Sequence, residues 1–170
     1  MNFQFYVEKL FDSQEFQKFI KENSDANPCG GFFIIDRENL KNPENKNHLD
    51  YFVPSINKMF SFQMEEGVKL VPVESFGEKA PGKISMNYDF DFEEVEDLIR
   101  NRMKTEEIDK KIQKILLSLQ SKQGKDFLVG TVFISGMGII KANIDLSEMK
   151  IIDFEKKSFF DMVKMVKKGE

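Results

Sequence analysis

The sequence predicts an α+β fold: an antiparallel sheet of seven to eight strands in two meanders, two long helices on one face, and a short C-terminal helix. Three observations predict it. Short runs rich in aromatic or β-branched residues follow one another at turn-length intervals, as antiparallel strands do. Two segments, near residues 3–23 and 91–103, instead carry apolar residues at helical spacing. The order helix, strand, strand, strand, strand then occurs twice, the pattern of an internal repeat.

The first segment places Phe3, Tyr6, Val7, Leu10, Phe11, Phe16, Phe19 and Ile20 on one stripe, which predicts a helix over about 3–23. Asp12 and Glu15 have capping-box spacing and mark a point where it breaks or restarts. "NSDANPCGG" ends it, because Asn27-Pro28 and Gly30-Gly31 do not continue a helix comfortably. "GFFIID", "LDYFVP", "KMFSFQM" and "VKLVPVE" then read as four strands. In the third, Phe60 and Phe62 share one face while Ser61 and Gln63 take the other, a wet one.

"SFGEKAPGKISMNYDFD" has two glycines, a proline and no sustained period, so about 75–90 reads as a linker within a single domain of residues 1–170. The halves on either side are 1–75 and 90–170. Asp91 with Glu94 opens a second helix, whose stripe is Phe92, Val95, Leu98 or Ile99, and Met103. Residues 108–120 fit either period: Ile108, Ile112, Ile115, Leu116 and Leu119 suit a helix, and Ile115, Leu117 and Leu119 alternate as in a strand. Strand is the reading for about 112–120, because Gly124 then turns a hairpin into "DFLVGTVFI". "IIKANID" and "KIIDFEK" complete the second meander. The last segment, capped by Ser158, is expected to bury Phe159, Met162, Val163 and Val166 as a helix that closes its own sheet.

The Gly-Met-Gly at 136–138 is a hairpin bend and not a phosphate loop, because a strand follows it and no helix N-terminus is available. Glycines at positive φ account for both Gly136 and Gly138. The run from Phe127 through "GTVFISGMGIIKANIDLSEMKII" resembles the end of a PepSY-type module. In that family a hairpin leads into a strand ending in Asp, a short turn and a last strand. Asp145 and Ser147 match the Asp and Thr of the family's turn; Met149 stands where a glycine is usual, and Phe127 where a Trp is. The chain is also similar to small uncharacterised archaeal-type proteins with a helix-plus-meander pattern. The PepSY resemblance implies binding, or restraint of peptidases, in an extracytoplasmic setting.

Composition narrows the function classes. The 170 residues carry a net charge of −4, with 22 Lys, three Arg and 29 acids interspersed, so there is no basic footprint for nucleic acid or anionic lipid. Tyr51, Phe52, Phe60 and Phe62 have the chemistry to stack bases, but Asp50 and Glu65 are their neighbours, and core packing is their expected role. No stretch approaches the roughly 20 apolar residues of a membrane span. The N-terminal run "MNFQFYVEKLFDSQEF" lacks the pattern of a signal peptide, so the expectation is a cytoplasmic protein.

Cys29 and His48 are the sole thiol and imidazole. With Asp36 or Asp50 orienting the histidine they form the one hydrolase-like constellation available. No family signature surrounds Cys29, so packing is its expected role. Asp89, Asp91, Glu93, Glu94, Glu96 and Asp97 lack the glycine of a calcium loop and suit the first turn of a helix. No catalytic residue, metal or cofactor is expected. The function expected is that of a non-catalytic module binding a protein or peptide through an exposed sheet face. A Cys29–His48 hydrolase and a homo-oligomer pairing through an edge strand are the alternatives.

Overall fold

A computed structural model describes residues 1–74 and 79–169, apart from the side chains of Phe159, Met162 and Met165. The element order is α1 (Phe3–Phe11), α2 (Gln14–Glu22), β1 (Asn27–Asp36), β2 (Lys46–Val53), β3 (Lys58–Gln63), β4 (Lys69–Val73), α3 (Phe92–Thr105), β5 (Ile112–Lys122), β6 (Lys125–Ile134), β7 (Gly138–Asp145), β8 (Lys150–Ser158) and α4 (Phe159–Lys168). A 3-10 turn at Pro54–Ile56 joins β2 to β3. All eight strands form one antiparallel sheet in the order β4-β3-β2-β1-β5-β6-β7-β8. The two meanders meet where β1 pairs with β5, Phe33 opposite Leu117 and Ile35 opposite Ile115.

Alternation decides which side is covered. Phe33, Ile115, Leu117, Leu119, Leu128, Val132, Ile140 and Ile144 are buried on one face, beneath α1, α2 and α3. Over β2 and β3 this core is a ring network: Phe16 and Phe19 meet Phe62 at 5.4 and 5.2 Å between centroids, and Tyr51 meets Phe62 at 5.7 Å. Over β5–β7 it is aliphatic.

The expected helix over 3–23 is two nine-residue helices. Ser13, not Asp12, is the cap: its Oγ accepts from Phe16 N at 3.2 Å and donates to Leu10 O at 2.7 Å, ending one helix while opening the next. The α3 capping box forms as expected, with Asp91 N–H donating to Glu94 Oε2 at 3.0 Å. Residues 112–120 are strand.

Within the glycine-containing connection, residues 75–78 lie outside the described residues. Its later part, residues 84–90, is tied down on both sides of the sheet's midline. Ile84 and Phe90 are buried, Ile84 N donates to Pro28 O, and Ser85 N and Tyr88 Oη both donate to Asp126 Oδ2 at 2.8 Å.

Two burial expectations are corrected. Ser61 is buried, directly opposite Asp50 in the β2–β3 pairing. On α4 the Ser158 cap forms, but Val163 and Val166 are exposed, at 40% and 68%. The helix projects from the end of β8 and does not turn this side onto the sheet. The expected burial of Phe159 and Met162 lies outside the described side chains.

Candidate functional site

The second face of the sheet carries no layer of α1–α3; Phe52, Ser61 and Ile139 on it are buried, and many of its central side chains are half-buried. Phe32 and Ile34 of β1, Leu116 and Ser118 of β5, and Phe127, Val129 and Thr131 of β6 all point to it, as the alternation requires. Seven neighbouring positions with five large apolar side chains make an unusual solvent-facing surface for a half-covered sheet, where polar residues are the rule.

At one end this face holds a cavity of about 540 Å³ lined by Gln120, Lys122, Gln123, Lys125, Phe127, Val129, Asn143 and Ile152. The β5–β6 hairpin builds its rim. Lys122 pairs with Lys125 across a two-residue loop, Gln123-Gly124, in which both residues have positive φ (54° and 74°), the geometry of a tight hairpin turn. That register puts both ammonium stems on the face that carries Phe127. Apolar Phe127, Val129 and Ile152 form the floor, and the amides of Gln120 and Asn143 border it. Gln120 Nε2 donates to Ser118 Oγ at 2.9 Å.

The other residues singled out from the sequence lie elsewhere. Cys29 occupies a β-bulge between Pro28 and Gly30 and is 8% exposed. Burial, and then the charge of Asp50, push its thiol up to about 12. His48 is two residues beyond Asp50 on β2, on the order of 7 Å along the strand at about 3.3 Å per residue. Among the described residues no hydrogen bond joins thiol to imidazole. His48 Nε2 instead lies 2.8 Å from Glu65 Oε1, off the ring's hydrogen-bonding direction, and the same oxygen receives Asn47 N–H at 2.7 Å.

Asp50 faces the uncovered side. Burial raises its carboxyl, against the opposing effects of Ser61 and His48. Asp36 is occupied as a loop anchor, accepting N–H bonds from Glu38, Asn39 and Glu44, and those bonds hold its carboxyl low.

The acidic cluster is dispersed among separate partners. Asp89 accepts from Asn2, Glu93 pairs with the N-terminal ammonium, and Glu94 belongs to the cap. Glu96, 6% exposed, binds Arg37 of the first half through Oε2 (2.7 Å) and Arg100 of α3 through Oε1 (2.6 Å). Tyr51 and Phe62 are core residues. At the Gly-Met-Gly bend, Gly136 and Met137 carry the positive φ values (78° and 59°), and Gly138 does not. Gly138 is required for a different reason: a Cβ there lies 2.7 Å from the buried Ile134 Cγ1. Asp145 Oδ1 accepts from both Ser147 N and Oγ, and Met149, at the position of the family's glycine, has φ 50°.

Sequence reasoning passed over Lys122, Lys125, Gln120, Asn143 and Ile152. The one signal present was "KQGK", two lysines flanking a two-residue turn, and it becomes a pair only once the hairpin register is known.

No family model matches the chain, and no curated protein matches it. Among solved structures, it is similar to a chain from Clostridium difficile 630 described as a "putative lipoprotein". The TM-score is 0.54 at 14% identity, covering 84% of this chain and 90% of the other. At that identity the likeness is one of fold. Among the described residues, no helix is long and apolar enough to cross a membrane.

Proposed function

We propose that the chain is a non-catalytic binding module whose uncovered sheet face takes a peptide or protein segment. The observation that carries this reading is the apolar, half-exposed face ending in the cavity between Gln120, Phe127, Val129 and Ile152. A sheet that covers one face with helices and leaves large apolar side chains on the other has a surface suited to a partner. The buried thiol of Cys29 favours the non-catalytic reading, since the thiolate is the reactive form and burial disfavours it. We read the two helix-plus-meander halves as one unit used twice, with the β1–β5 seam as its midline; the cavity then belongs to the second half.

The test is selection of extended peptides from a random heptapeptide display library on the full chain, followed by affinity measurement on Val129→Asp. Val129 is half-exposed, so the variant is expected to keep its circular dichroism spectrum and its melting midpoint within a few degrees. Recovered peptides are expected to bind at least about tenfold more weakly to the variant, a difference of about 1.4 kcal/mol. Peptides that bind both proteins equally overturn the assignment of this face. The hydrolase alternative has its own readout: rapid, pH-dependent alkylation of Cys29 that His48→Ala abolishes.

A further inference from the structure

The cavity's charge is asymmetric in a way that names its ligand. Lys122 and Lys125 are directly opposite one another across the β5–β6 hairpin, on the same face, where like charges repel and cost stability. Among the described residues neither ammonium makes an ion pair; the lysine pairs elsewhere are Lys18–Glu22, Lys114–Glu44, Lys150–Glu148 and Lys157–Glu155. Hydrogen bonds from Ser147 and Glu148, and after them the charge of Lys125, hold the Asp145 carboxyl low. That carboxylate accepts from Ser147 N and Oγ and from Glu148 N and keeps its charge, so it offsets part of the Lys125 charge. The residues lining the cavity itself include both lysines and no carboxylate, which leaves the hairpin rim net positive.

Below the two ammonium groups the floor is apolar, and amide side chains line the border. A ligand that satisfies all three parts presents an acid group beside an apolar one, on a backbone able to hydrogen-bond with Gln120 and Asn143.

Resting on the binding reading above, we infer that this end of the face takes a peptide segment with a carboxylate next to a large apolar side chain. The carboxylate lies between Lys122 and Lys125, which relieves their mutual repulsion. The apolar side chain covers Phe127, Val129 and Ile152. The cavity volume falls within the range of small-ligand sites, so it accommodates a few residues of such a segment and not a folded surface. The overall charge of −4 makes this rim a local exception, one that steers an acid to it and away from the remainder of the chain.

The experiment is a titration of the full chain, followed by amide chemical shifts, with acetyl-Leu-Phe-Glu-Leu-Phe-amide and its Glu→Gln analogue. Sodium decanoate is the third probe. Each is run in about 50 mM and about 300 mM salt, which shortens the screening length from over 10 Å to well below it. The Glu peptide is expected to shift amides in 120–129 and at Asn143 and Ile152. Its affinity is expected to exceed that of the Gln peptide by at least tenfold, and the excess is expected to shrink at high salt. Lys122→Gln/Lys125→Gln, both exposed positions, is expected to erase the excess of the Glu peptide over the Gln peptide.

Equal binding of the two peptides at these amides overturns the carboxylate selection while the binding face stands. Shifts confined to other elements, or no shifts, overturn the inference; display-derived peptides that still lose affinity on Val129→Asp then show that the face binds by another chemistry. Decanoate binding here tenfold tighter than the Glu peptide overturns the peptide source in favour of a small anionic amphiphile.

Discussion

The two halves of the sheet hold their helices by different means. In β1–β4 the contact layer is aromatic, with Phe16, Phe19, Tyr51, Phe60 and Phe62 packed largely edge to face. In β5–β8 it is aliphatic, built from Ile115, Leu117, Leu119, Leu128, Val132, Ile140 and Ile144. Both give four antiparallel strands under helix. The difference teaches that strand pairing asks only for alternation, whereas side-chain type decides how concentrated the packing energy is. Rings attach it to a few residues with specific angles, and branched aliphatics spread it over many.

The largest expected effect breaks that comparison directly. Phe62→Ala should cost about 3–5 kcal/mol in urea unfolding, and Leu117→Ala about 2–5 kcal/mol. Conservative swaps sharpen the contrast. Leu117→Met should cost less than about 1.5 kcal/mol, whereas Phe62→Leu forfeits three ring contacts, each worth about 0.5–1.5 kcal/mol. Equal costs for the two conservative variants would show that ring geometry adds nothing to burial.

Next in size is the link between the halves, Glu96 with Arg37 and Arg100. Burial by itself raises the Glu96 carboxyl; the hydrogen bonds and charges of the two arginines outweigh it, so the folded value lies below the ordinary one. A lowered carboxyl contributes stability that is complete above its unfolded value, about 4.3, and is lost as pH falls through the folded value. Glu96→Gln should therefore cost about 1–2 kcal/mol at pH 7, discounted because both arginines are over a third exposed. The gap between variant and native chain should narrow steadily below about pH 4.3, as followed by urea midpoints. A gap independent of pH would mean that the carboxylate's charge is not what joins the halves.

The smallest expected effect tests the end of the second half. Val166→Ala on α4 should change stability by no more than about 0.5 kcal/mol, since the side chain is 68% exposed. A loss above about 1 kcal/mol in thermal unfolding would place that side of α4 against the sheet, as its apolar spacing suggests.

Much of this was legible residue by residue. The period-two runs located all eight strands, and for 112–120 the presence of Gly124 correctly broke a tie between helix and strand. Asp91 and Glu94 announced α3. The N-terminal break was misplaced by one residue, because Asp12-to-Glu15 spacing mimics a cap whose hydrogen bonds Ser13 makes. Gly138 was assigned a positive φ when the real demand on it is space beside Ile134, a contact that adjacent residues do not reveal. The candidate site was less legible: nothing adjacent in the sequence singles out Lys122, Lys125 or Ile152. Ile152 is the extra residue where the β7–β8 register shifts, and it is 57% exposed.

By itself the sequence located the eight strands and most of their turns and caps, because alternation, capping and turn preference act between residues a few positions apart. Only the tertiary structure decided that β1 pairs with β5 to merge two meanders into one sheet, that helices cover one face and leave Phe32, Leu116, Phe127 and Val129 half-exposed, and that two lysines converge above them. Those outcomes follow from burial summed over distant segments. Either meander satisfies its internal hydrogen bonds alone, and the choice of neighbour at its open edge rests on which docking removes the most apolar surface from water.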